Sequence, residues 1–265
     1  MKIPKYYHIG IPKTGTTTLQ YVLKNDDRIN LIFSKKYFNS NRYFTFPTYP
    51  YFEEGKLNIV SDETISKNNN NTNSIYTFLD RLQRPEPNAI IFLTIREQVD
   101  LLKSRYKHAI ANDDETNSFT EWLVSKKYIN YIDMIMYSNL YKVICAYFPK
   151  KNIKILVYEK LKSDFFEYIS DLYGILGIEP PVLNQKIIKN KSLSDEEIYE
   201  KLLQNIENSN KIQSIEIKKE TFLEWDWDKS FWRKLLNEIK TSNDCFIKQS
   251  GIDKQLLRKF NYNFH

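Results

Sequence analysis

Nine consecutive residues near the start, Gly10-Ile11-Pro12-Lys13-Thr14-Gly15-Thr16-Thr17-Thr18, gather the groups that hold an anion. The two glycines let the backbone turn tightly enough for successive N–H groups and a helix N-terminus to face one point. Thr16, Thr17 and Thr18 add hydroxyl donors in the first helical turn, and Lys13 adds a positive charge between the glycines. The Gly-x-x-x-x-Gly spacing is that of a Walker A loop, yet Gly15 is followed by Thr16 where that loop requires lysine. NTPases also hold Mg²⁺ partly through an acid at the end of a buried strand. Here the most apolar strand-like run, residues 89–95, ends in the cation Arg96. That arrangement suits a donor whose reaction needs no metal.

Arg96 has its own anion chemistry. An arginine leaving a buried strand can fork onto two phosphate oxygens, and Ser104, two turns along the following helix, can add a hydroxyl. Transfer to a hydroxyl further needs a general base, and few candidates exist. Asp62 and Glu63 close the short strand at residues 57–61, and parallel strands present their C-terminal ends to the ligand crevice. His108 falls one turn beyond Ser104 on the same helix face, pointing toward the same pocket. His8 precedes the glycine loop within a strand and reads as a hydrogen-bonded core histidine.

The elements that position these residues follow from apolar periodicity. Strands are expected at residues 5–11, 29–33, 57–61, 89–95 and 153–157, the run at 89–95 unalternating as in a parallel sheet. Helices are expected from Thr16 onward and at residues 75–82, 99–111, 137–148 and 165–176, the last ending near Gly177. Ser118-x-x-Glu121 and Ser194-x-x-Glu197 are capping boxes opening two more helices, and residues 232–239 begin the last group. Residues 35–56 are irregular and rich in aromatics such as Tyr43, Phe44 and Tyr49, while the Asn-rich tract 67–73 reads as an exposed loop. Strands alternating with helices, with no internal repeat and no long linker, predict one α/β domain over residues 1–265. It is P-loop-like, with a central, mainly parallel sheet flanked by helices.

Composition narrows the function classes. The chain has 265 residues, of which only 6 are glycine, so the pair at Gly10 and Gly15 stands out. A net charge of +6 is compatible with an anionic ligand but does not demand one, and the basic residues are too scattered to suggest nucleic acid. Three histidines and two distant cysteines make a zinc site a poor expectation. No apolar run is long enough for a membrane span and no secretory signal is evident, so a cytoplasmic setting is the expectation.

With these residues in view, the chain resembles the sulfotransferases that use 3′-phosphoadenosine 5′-phosphosulfate (PAPS). The first loop of that family, Pro-Lys-[Thr/Ser]-Gly-[Thr/Ser]-[Thr/Ser], cradles the 5′-phosphosulfate, and residues 11–17 match it closely. Its second motif is an arginine at a strand end followed eight residues later by a serine, both binding the 3′-phosphate; Arg96 and Ser104 have that spacing. Gln98 stands where the family often has proline, a departure that touches turn geometry. Val157-Tyr158-Glu159-Lys160-Leu161 and Asn190-x-Ser192-Leu193-Ser194 are similar to further family stretches, so the resemblance covers roughly residues 5–195. It implies donor binding by Lys13, Thr14, Gly15, Thr16, Thr17, Thr18, Arg96 and Ser104, with Lys13 also donating to the leaving oxygen. Many bacterial members carry Ser-[Ser/Asp]-Glu where Ser61-Asp62-Glu63 stands, which favours Glu63 as base over His108. The acceptor implied is a hydroxyl, or second an amine, of a carbohydrate or small molecule, with the aromatics of residues 35–56 at its mouth. The spent product would be adenosine 3′,5′-bisphosphate (PAP), and no metal is required. Two other readings stay open: an atypical Mg²⁺-dependent P-loop kinase with Asp62 as metal ligand, and a non-catalytic nucleotide- or glycan-binding module.

Overall fold

Runs such as Ile90–Ile95 carry apolar side chains on consecutive positions, and a strand sends consecutive side chains to opposite faces. Such a strand is stable only between two covering layers. In the computed structural model this is how they are used. The structure describes residues 6–33, 53–62, 74–84, 86–125, 132, 134–189, 193–209, 217–224 and 230–265. Five strands, β1 (Tyr6–Gly10), β2 (Ile29–Phe33), β3 (Leu57–Asp62), β4 (Ile90–Ile95) and β5 (Ile153–Val157), form one sheet in the order β2-β3-β1-β4-β5. Every pairing is parallel, with Gly10 opposite Thr94 at the top of the central pair. The expected α/β architecture is therefore observed, and the sheet is wholly rather than mainly parallel.

Two apolar layers cover the sheet. On one face Tyr7, Ile9, Ile91, Leu93 and Ile95 pack under helices α2 (Ser74–Gln83), α3 (Gln98–Asn112), α4 (Phe119–Val124) and α5 (Tyr137–Tyr147). On the other, Tyr6, Ile29, Ile59, Phe92 and Leu156 pack under α1 (Thr16–Lys24) and, after the short helix α6 (Tyr158–Ser163), under α7 (Phe165–Leu176). The remaining helices, α8 (Asp195–Ser209), α9 (Ser230–Ser250) and α10 (Lys254–Lys259), thicken the first layer through Ile198, Leu202, Trp232, Phe246 and Leu257.

Local signals behave as their chemistry dictates. Ser118 and Glu121 close a reciprocal capping box on α4, and Ser194 and Glu197 exchange the same pair of bonds at α8. Gly177 ends α7 in the left-handed conformation, φ 71°. Element boundaries differ from expectation by a residue or two, except that α9 runs for 21 residues where only its first half was anticipated. Helices α6 and α10 had no strong signal, each being only six residues long.

The turn between α1 and β2 is tied to α7 by one acid. Asp26 accepts from the Tyr173 hydroxyl at 2.8 Å and from the Arg28 guanidinium at 2.6 and 2.9 Å. The Arg28 hydrogen bonds, opposed by partial burial and aided by Tyr173, lower its pKa from 3.8 to about 2. A depressed carboxylate contributes stability that is present above its unfolded pKa and lost as pH falls through the folded one. Asp26→Asn should therefore lower unfolding stability at pH 7 by about 1–2 kcal/mol, since Arg28 is half exposed. The deficit against wild type should shrink as pH falls from 4 toward 2, read by urea unfolding across that range.

Candidate functional site

Strand β1 feeds α1 on one face of the sheet, and its neighbour β4 feeds α3 on the opposite face. Chains that leave adjacent strand ends in opposite directions open a crevice between them, the place where parallel α/β sheets bind ligands. Residues 11–15 and residues 96–97 form its two lips.

The glycine loop is shaped by close packing. A Cβ on Gly10 would lie 2.5 Å from Thr16 Cγ2. A Cβ on Gly15, which also has φ 76°, would lie 2.6 Å from Leu161 Cδ2 and 2.9 Å from the Tyr158 ring. Gly15 stands just before α1, and its carbonyl accepts from Thr18 N and Leu19 N at 3.0 and 3.2 Å. Lys13 adopts φ 74°, which a residue with a β-carbon enters at a cost of about 1–2 kcal/mol. Thr14 turns inward: it is fully buried and its hydroxyl donates to Ile11 O at 2.6 Å.

Below this loop lies His8, completely buried, with Nδ1 2.8 Å from Ser61 Oγ and Nε2 3.0 Å from Thr94 Oγ1. Its ring stacks on Phe92 at 4.9 Å, and burial lowers its pKa to about 3. It is the hydrogen-bonded core histidine that the sequence suggests.

Arg96 joins the two lips. Its Nη1 donates to the Lys13 carbonyl at 2.9 Å, and its guanidinium carbon lies 4.7 Å from the Tyr158 ring centroid. The Tyr137 hydroxyl accepts from Arg96 N at 3.2 Å and donates back to Arg96 O. The next residue, Glu97, caps α3 by accepting from Asp100 N at 2.8 Å. Behind it Glu159 accepts from Glu97 N at 2.8 Å and from the Tyr262 hydroxyl at 3.1 Å, while Asn263 donates to Glu97 at 3.3 Å. Burial pushes the Glu97 carboxyl up to about 7 and raises that of Glu159 as well.

The cleft holds about 450 Å³ and brings together Lys13, Gly15, Thr16, Thr17 and Thr18 with Arg96, Ser104 and His108. Of the residues that the resemblance assigns to donor binding only Thr14 is absent from its lining; Asp62 is absent too, and Glu63 falls outside the described residues, as do the aromatics at positions 37–52 and the Asn-rich tract. His108 Nδ1 lies 2.9 Å from Asn112 Nδ2. Asn112 also donates to the His108 carbonyl at 3.1 Å, so this amide holds the residue at both its ring and its backbone.

Several cleft residues carry no signature in the sequence. Lys162, on α6, has its ammonium 5.2 Å from the same Tyr158 ring that Arg96 covers, and burial with the nearby Arg96 charge lowers its pKa. Lys186 and Lys189 arrive from the segment after α7, where Lys189 N donates to Thr18 Oγ1 at 3.1 Å. Arg105 sits on α3 beside Ser104. Six cations and no carboxylate thus line the cleft among the described residues. Like charges held this close in a half-buried space favour an anionic occupant.

A family model described as a sulfotransferase domain matches residues 6–250. No curated protein sequence matches the chain. Among solved structures, a sulfotransferase from Alicyclobacillus acidocaldarius superposes with a TM-score of 0.58 at 17% identity, covering 79% of this chain and 96% of that one. Mouse sulfotransferase SULT7A1, complexed with PAP, covers 97% of this chain and 88% of its own at 14% identity and a TM-score of 0.48.

Gly15 tests the loop geometry. Gly15→Ala should destabilise the fold by about 1–2 kcal/mol through its positive φ alone, and more if Tyr158 and Leu161 must shift. A lowered melting temperature together with weakened binding of adenosine 3′,5′-bisphosphate is the expected outcome.

Proposed function

The chain belongs to the sulfotransferase family, and we propose that its donor is PAPS and its acceptor a hydroxyl, or second an amine, of a carbohydrate or small molecule. The observation that supports the donor is the pairing of two anion-holding lips at a fixed separation. At the loop lip, Gly15 leaves no room for a β-carbon against Tyr158 and Leu161, which line the cleft with it. At the other lip, Arg96 Nε is buried without a hydrogen-bond partner among the described residues, an uncompensated donor that a phosphate oxygen would satisfy.

In this reading the loop residues Gly15, Thr16, Thr17 and Thr18, with the N-terminus of α1, hold the 5′-phosphosulfate, and Arg96 and Ser104 hold the 3′-phosphate. Thr14 contributes by shaping the loop, its hydroxyl being turned inward. The donor supplies the sulfuryl group and a phosphate leaving group, the product being adenosine 3′,5′-bisphosphate. Lys13 supplies positive charge where negative charge grows on the leaving oxygen, stabilisation that acts in the transition state. Glu63, two residues past Ser61 on the C-terminal side of β3, takes the acceptor proton. His108, one turn beyond Ser104 and also in the cleft lining, is the second candidate for that role. The six cations of the cleft would offset the charge of the phosphates, and this reading assigns a metal no role.

Thermal shift separates this donor from a kinase's. Adenosine 3′,5′-bisphosphate should stabilise the protein without metal, by about 2.7 kcal/mol at a hundredfold excess over Kd. A shift with ATP only in the presence of Mg²⁺, and none with the bisphosphate, would contradict the proposal. In transfer assays with PAPS and a glycan and phenol panel, Lys13→Ala should lower turnover by about 10²–10³. Glu63→Gln should suppress transfer while sparing nucleotide binding; normal turnover of that variant would remove Glu63 from the reaction.

A further inference from the structure

Lys13 sits in the left-handed region at φ 74°, a conformation that persists only where neighbours impose it. Thr14 Oγ1 restrains the loop from within, through Ile11 O. From outside, the Lys13 carbonyl is held by Arg96 Nη1 at 2.9 Å. Arg96 has little freedom of its own. Only 9% of the residue is exposed, its guanidinium faces the Tyr158 ring, and Tyr137 clasps its backbone. Tyr158 in turn lies directly against Gly15, where it leaves no space for a side chain. One cation therefore braces residues 13–15 through both a hydrogen bond and a ring.

We propose that Arg96 is a positioning residue for the 5′-phosphate loop in addition to a ligand of the 3′-phosphate. Its bond to the Lys13 carbonyl keeps the loop in its anion-binding conformation, so affinity at the 5′ end depends on Arg96 even for a nucleotide with no 3′-phosphate. This rests on the assignment of the cleft to a bisphosphorylated nucleotide. It adds a coupling that the assignment alone does not contain. A 3′-phosphate engaging the remaining Arg96 donors would fix the guanidinium and thereby the Lys13 backbone, and by linkage the 5′ end would tighten the 3′ end equally.

The test compares adenosine 5′-phosphate with adenosine 3′,5′-bisphosphate by titration calorimetry on wild type, Arg96→Ala, Arg96→Met and Ser104→Ala, each checked for folding by thermal melting. The Met variant fills much of the stem volume if the Ala variant proves too unstable. Ser104→Ala should weaken the bisphosphate while leaving 5′-phosphate affinity within twofold. Both Arg96 variants should weaken the 5′-phosphate as well, by about tenfold or more, the scale for a lost hydrogen bond from a charged donor. Hydrogen exchange without nucleotide should show faster exchange at residues 13–17 in the Arg96 variants. The inference is overturned if the Arg96 variants bind 5′-phosphate within twofold of wild type and exchange normally while losing the bisphosphate, an outcome that leaves the cleft assignment intact. Wild type that binds neither nucleotide would overturn both.

Discussion

One hydrogen bond holds the candidate site together: the Arg96 guanidinium donating to the carbonyl of Lys13 across the ends of two neighbouring strands. The sheet order makes it possible. With β1 beside β4 and Gly10 level with Thr94, the residues that follow each strand emerge within side-chain reach of one another. Since α1 and α3 then depart to opposite faces, the described residues leave a cleft beside the two strand ends. A bond to a charged donor contributes about 1.5–3 kcal/mol, enough to offset the cost of a non-glycine residue in the left-handed region. The loop is thus strained at Lys13, and the strain is offset by a residue that lines the same cleft.

Burying that cation requires a supporting shell. Tyr158 covers one side of Arg96, Tyr137 fixes its backbone, and the carboxyl groups of Glu97 and Glu159 are tied into backbone and hydroxyl donors behind it. Tyr262 and Asn263 complete the shell, so the last helices reach the site from behind. Gln98 belongs to the same layer: its amide donates to Asn243 at 2.6 Å. The pair is a buried polar tie between α3 and α9.

Much of this was legible in the sequence, for a physical reason. The glycine loop and the Arg96–Ser104 pair are local: their geometry follows from a strand end, a turn and a helical repeat, all within a dozen residues. Unalternating runs such as Ile90–Ile95 announce a sheet covered on both faces. What local reasoning missed are residues returned to the cleft by tertiary packing. Lys162, Lys186 and Lys189 lie in unremarkable basic stretches, and only the path of β5 and of the segment after α7 brings them to the loop. Thr14 enters through the family resemblance alone, and the sequence does not reveal that its hydroxyl turns to the Ile11 carbonyl. The contact of the His108 ring with Asn112, one turn further along α3, is likewise a feature of the folded helix.

The central claim, that the cleft spans a nucleotide phosphorylated at both ends, is tested most directly by a crystal structure with adenosine 3′,5′-bisphosphate. The account predicts the 5′-phosphate against the backbone N–H groups of the glycine loop and α1, and the 3′-phosphate against Arg96 and Ser104. A nucleotide bound with those ends exchanged, or outside the cleft between β1 and β4, would contradict it.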